Sequence, residues 1–176
     1  GRIVYQSLTL INKAIRERTF FQNEKYLKAM EHAQKNDSKL HILGLVSDGG
    51  VHSHIEHFIA MLQMAKNYGL KKVFIHAFMD GRDVDPQIGA AYIQRLQDEM
   101  DRLGLGAIAD ISGRYWAMDR DKNLDRVDVS YRVMVDHDGP SFTDHQQYFK
   151  DQYKFLPTIG MDGSDEFVIP HFNRNV

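Results

Sequence analysis

The sequence predicts an α/β fold, a three-layer domain with a mainly parallel sheet and helices on both faces. Three observations predict it. The apolar runs KLHILGLV (39–46), KKVFIHAFM (71–79) and AIADIS (107–112) each have the length of a strand. Stretches of helical periodicity separate them, and each separation is long enough for the crossover that parallel strands require. No repeat, low-complexity tract or Pro/Gly/Ser-rich linker divides the chain, so residues 1–176 are read as a single domain.

Residues 7–17 and 23–35 read as helices, the second opening at Asn23 and spacing Tyr26, Leu27, Met30 and Ala33 along one buried side. The first two apolar runs are continuous, the pattern of strands buried on both faces. Between them Ile55, Phe58, Ile59, Leu62 and Ala65 recur at helical spacing, and Gly69 supplies the stop. Asp85 and Pro86 are expected to act as N-cap and first-turn pair for a helix carrying Ile88, Tyr92, Leu96, Met100 and Leu103, ended by Gly104. Beyond the third strand, the pattern predicts helices near 124–135 and 144–155 and a short strand at EFVI (166–169).

Composition narrows the function. Twenty-two Lys and Arg against 24 Asp and Glu leave a net charge of -2, so there is no broad basic field to collect nucleic acid or an anionic membrane. An anion site must therefore be local. The absence of cysteine excludes a disulfide framework and thiolate metal sites, and fits a cytoplasmic protein. No apolar stretch approaches the roughly 20 residues of a membrane span, and GRIVYQSLTL lacks the form of a signal peptide. A start at Gly1 without methionine and a stop at HFNRNV lead us to expect a piece of something larger.

In an open parallel sheet the ligand crevice lies outside the carboxyl ends of the strands. Here those ends deliver SDGGVHSH (47–54), DGRDVD (80–85) and SGRYWAMDRD (112–121), each setting glycine beside charged residues. Glycines let backbone N–H groups approach an anion, and arginines present planar forks suited to carboxylate or phosphate. A small anionic ligand is the natural occupant. His52, His54 and His57 admit two readings: imidazoles for a metal, or a loop donor (His52) followed by two residues that cap or decorate a helix start. Arg82 and Asp83 form an ordinary turn with surface ion pairs, or a fork beside a carboxylate able to take a proton from a hydroxyl. Arg114 and Arg120 are anion ligands or partners of Asp119 and Asp121. Neither Ser47 nor Ser112 sits in a G-x-S-x-G elbow, and neither a G-x-G-x-x-G nor a Walker sequence is present. Tyr115 and Trp116 read as packing residues.

The stretches GLVSDGGVHSH, HAFMDGRDVDP and ISGRYWAMDRDK, with the opening GRIVYQSLT, together resemble the cofactor-independent phosphoglycerate mutases over nearly the whole chain. The resemblance implies a substrate-binding (phosphotransferase) domain of an isomerase that interconverts 3-phosphoglycerate and 2-phosphoglycerate in glycolysis and gluconeogenesis. It implies that His52, Arg82, Asp83, Arg114 and Arg120 contact substrate, with Asp83 the catalytic acid/base partner of the glycerate hydroxyls. It further implies that this chain is one domain of a two-domain enzyme whose other, alkaline-phosphatase-like domain carries the phosphorylated serine and the Mn2+ ions, that this chain supplies no metal ligand or cofactor of its own, and that it is inactive without that domain. The chain departs from the family pattern at Leu10, where an arginine is usual, and at Leu124 and Asp125, where a Trp-Glu pair is usual. The later FRPDR stretch, source of two further substrate-binding arginines, is absent. Two other functions fit the residues: a stand-alone anion-binding or regulatory module, and a metal-dependent hydrolase built on His52, His54 and His57.

Overall fold

A computed structural model describes residues 6–176, so the first five residues of the opening motif lie outside it. The sheet has five strands in the order β1-β2-β3-β5-β4. Strands β1 (Leu40–Val46), β2 (Val73–Met79) and β3 (Ala107–Gly113) are the three apolar runs, and they pair in parallel. The sheet is completed by β4 (Ser141–Phe142) and β5 (His171–Asn173), the latter antiparallel to β3.

The helices follow from their caps and apolar faces. Helix α1 spans Ser7–Arg16 and α2 Glu24–Lys35; as expected, Asn23 caps α2, its Oδ1 accepting from the N–H groups of Lys25 (3.0 Å) and Tyr26 (3.3 Å). Helix α3 (Ile55–Asn67) buries Ile55, Phe58, Leu62 and Ala65 and ends at Gly69, whose φ of 71° is open to a residue without Cβ. Helix α4 is Gly89–Leu103, α5 the single turn Arg114–Ala117, α6 Leu124–Asp136 and α7 His145–Phe155. Side chains of α2, α3, α4 and α7 share one core with Val73, Ile75, Ala77 and Met79 of β2 and with Ile108 and Ile111 of β3. Alternation turns His76, Asp110 and Ser112 to the other face, where Ser112 meets Ser130 of α6 (Oγ–Oγ 2.8 Å). Helices thus lie on both faces. Among the described residues no helix is long and apolar enough to cross a membrane.

Three details of the sequence reading need correction. Strand β1 is not buried on both faces: it forms the sheet edge, and Leu43 is 58% exposed. Asp85 does not cap α4; its Oδ1 accepts from the Gln87 N–H within the loop, and the first N–H of the helix, at Gly89, is instead taken by Asp165 Oδ2 at 2.7 Å. A cap supplied from 76 residues away leaves no local signature. EFVI is not a strand: Asp165–Phe167 is a 3-10 turn, and the strand pairing with β3 begins later, at His171.

Candidate anion-binding site

Ser47, Asp80 and Arg114 are the first residues beyond β1, β2 and β3, and parallel pairing sets them side by side. Asp80 is the hub. It is 2% exposed, and its Oδ2 accepts from Ser47 Oγ at 2.6 Å. Its Oδ1 accepts from Arg114 Nη1 (2.6 Å) and from the N–H groups of Asp83 (3.1 Å) and Arg82 (3.3 Å). Burial alone would raise its pKa, yet the bonds from Ser47, Asp83, Arg114 and Arg82 together hold the carboxyl below the ordinary range. The same cluster keeps the buried Arg114 charged: desolvation disfavours the cation, and the carboxylates of Asp83 and Asp80 outweigh it, raising its pKa.

Arg114 Nη1 also donates to Asp83 Oδ2 at 2.6 Å. His52 Nε2 lies 3.9 Å from that oxygen, in ion-pair reach but too far for a hydrogen bond. Arg82, exposed at the rim, pairs with Glu166. Between them lies a cleft of about 200 Å³, lined by His52, Arg82, Arg114, Arg120 and Arg126, with Asp119 and Asp121 on one wall. Four of the five residues expected to contact substrate, His52, Arg82, Arg114 and Arg120, line this cleft, and the fifth, Asp83, stands behind it, bonded to Arg114 and 3.9 Å from His52. A larger groove of about 410 Å³ runs beside β1, but Leu43, Leu45, Phe58, Met61 and Phe78 make its walls apolar and it offers an anion no fork.

The other two histidines of the first loop turn elsewhere. His54 Nδ1 accepts from the Glu56 N–H and caps α3, while His57 Nε2 bonds Asn12 of α1 at 2.7 Å. Trp116 packs as expected, donating from Nε1 to the Phe167 carbonyl at 3.0 Å. Sequence reasoning missed Asp80, Ser47, Glu166 and Arg126. Asp80 had one legible signal, an acid placed directly behind a buried strand, where a charge needs several donors. Glu166 had none, because its partner is 84 residues away.

Comparison with known proteins agrees with this fold. A 2,3-bisphosphoglycerate-independent phosphoglycerate mutase from Listeria monocytogenes serotype 4b (strain F2365) is 49% identical over 170 residues, covering 97% of this chain and 32% of the relative. A solved structure of Leishmania mexicana phosphoglycerate mutase, determined at low cobalt concentration, superposes with a TM-score of 0.88 at 27% identity, over 98% of this chain and 32% of that one. The chain spans about a third of the length of these relatives. Residues 11–175 match the family described as BPG-independent PGAM N-terminus, and the chain belongs to that family.

Proposed function

We propose that this chain is the glycerate-binding part of a phosphoglycerate mutase acting in the cytoplasm, in glycolysis and gluconeogenesis, and that it has no mutase activity alone. The observation that carries the reading is the arginine-lined cleft with Asp83 at its side. Both carboxylates that bind Arg114 meet Nη1, which leaves the Nη2 and Nε donors to form a fork on an anion. Arg82 and Arg120 approach from the rim and His52 from the opposite loop. A three-carbon acid held by its carboxylate in this way stays in place while its phosphoryl group passes from one hydroxyl to an acceptor outside this chain and returns from that acceptor to the other hydroxyl. Asp83 Oδ2 is engaged by Arg114, and Oδ1 is the atom that trades a proton with the hydroxyl attacking or leaving.

The phosphoryl acceptor and the Mn2+ of the resemblance belong, in this proposal, to the part of the longer relatives that this chain does not cover. Among the described residues no group of three or more His, Asp or Glu side chains is gathered as a metal would need, so the chain's own residues do not fit the ion and no step runs through it.

The test measures two quantities on the purified chain. In an NADH-coupled assay from 3-phosphoglycerate with excess Mn2+, no turnover above background is expected; turnover that disappears in Asp83→Asn would place the phosphoryl carrier within these residues. In calorimetric titration, 3-phosphoglycerate should bind weakly, and Arg114→Lys should weaken it about tenfold or more, because an ammonium cannot reproduce a bidentate fork. No binding at millimolar ligand would sink the reading.

A further inference from the structure

The loops that carry Arg82 and Arg114 are tied together by a segment from far along the chain. Residues 164–168 run across the carboxyl edge of the sheet, where glycine is the only residue that leaves room for them. A Cβ at Gly81 would lie 2.6 Å from the Glu166 nitrogen, and one at Gly113 would lie 2.3 Å from the Glu166 carbonyl oxygen. A Cβ at Gly89 would lie 2.6 Å from Asp165 Oδ1. Hydrogen bonds fasten the segment on both sides: Asp165 N–H to the Pro86 carbonyl at 2.7 Å, and Gly113 N–H to the Val168 carbonyl at 2.9 Å. The backbone of Glu166 is therefore wedged between the end of β3 and the loop after β2, beside the glycine that precedes Arg82.

From that backbone the Glu166 carboxylate, with 11% of its side chain exposed, reaches the Arg82 guanidinium, whose side chain is 57% exposed. An exposed arginine with no fixed partner samples many rotamers and loses that freedom on binding a ligand. We infer that Glu166 is a positioning residue, fixing the Arg82 guanidinium at the rim of the cleft so that it meets the ligand already oriented. Rim ion pairs add little to stability, so the value of this contact lies in orientation. The inference rests on the functional reading above for the ligand's identity but not for the contact.

Two measurements on the full chain test it. The first needs no ligand: the 15N order parameter of Arg82 Nε should be high in the wild type and fall in Glu166→Gln, which keeps the side chain's shape and removes its charge. An unchanged order parameter would overturn the inference. The second is 3-phosphoglycerate affinity in a double-mutant cycle. Glu166→Gln should raise Kd roughly tenfold, the effect of loosening one charge-assisted bond, and should have no effect in an Arg82→Ala background. Equal losses in both backgrounds would mean that Glu166 acts through general structure, and the inference would fall. A wild type that shows an ordered Arg82 but does not bind the ligand would overturn the functional reading and leave the positioning contact standing.

Discussion

Asp80 shows how much one carboxylate organises. It accepts from a serine, a guanidinium and two backbone N–H groups, so the three loops meet on its two oxygens. Asp80→Asn leaves the buried Arg114 with Asp83 alone and places an NH2 against existing donors. Breaking a buried pair from one side costs about 3 to 5 kcal/mol when nothing compensates; with Asp83 still present, a loss of about 2 to 4 kcal/mol in urea unfolding is expected. A loss under 1 kcal/mol would mean that Asp80 is not the hub described. Asp165 makes the opposite case. Burial pushes its carboxyl up to about 6, against the pull of Tyr153 and the Gly89 and Ile88 N–H groups, with Asp85 adding to the rise. Because the folded state holds this proton more tightly than the unfolded chain, its contribution is fully present below the unfolded value of 3.8 and is lost as pH rises through about 6. Asp165→Asn should therefore gain on the wild type between pH 4 and 7, by up to about 3 kcal/mol at the upper end. A constant difference across chemical denaturation curves in that range would refute the assignment.

At the scale of elements, strand β3 is held to the 164–168 segment through a glycine with no room for a methyl group. Gly113→Ala would set a carbon against the Glu166 carbonyl, an atom of the backbone that cannot swing aside. Overpacking of this kind costs about 1 to 3 kcal/mol. A lowered Tm, with larger amide shifts at Glu166 and Phe167 than in α3, is the expected result; a Tm equal to wild type would show that the segment gives way freely. What the sequence made legible divides along the same line. Helices α2 and α3 were readable because their caps and apolar spacings lie within the element, and the three parallel strands because each is a bounded apolar run. His52, Arg82, Asp83, Arg114 and Arg120 were placed on three loops by the same logic, since a strand end fixes where its loop begins. The start of α4, the edge position of β1 and the part played by Glu166 were unreadable because distant residues decide each of them. Asp165 takes the Gly89 N–H, strand order exposes Leu43, and Arg82 selects Glu166.

Across the described residues one core joins α2, α3, α4 and α7 to the sheet, and fully buried residues such as Phe149, Leu96 and Ile75 belong to it alike. Such a domain should unfold as one unit. Trp116, the sole tryptophan, lies on α5 two residues beyond Arg114 and donates to the Phe167 carbonyl, so its fluorescence reports the contact of α5 with the 164–168 segment while circular dichroism at 222 nm reports the helices. The two should trace one urea transition with one midpoint. A separate, earlier fluorescence transition would mean that the site edge melts before the core. The chain's membership of the BPG-independent PGAM N-terminus family fits this picture, because the family match covers residues 11–175, the helices and strands of that one core.

The 84-residue separation between Arg82 and Glu166 also sets an order in time. A ribosome adding about 5 to 20 residues per second releases the arginine loop roughly 4 to 17 seconds before the residue that will hold it. The first three strands can pair and their crossover helices can dock during that interval, while Arg82 still lacks its partner. The contact that orients Arg82 is therefore made only after the three strands whose ends carry the site have emerged. An anion present during synthesis meets a nascent domain whose three parallel strands can pair before its grip is complete.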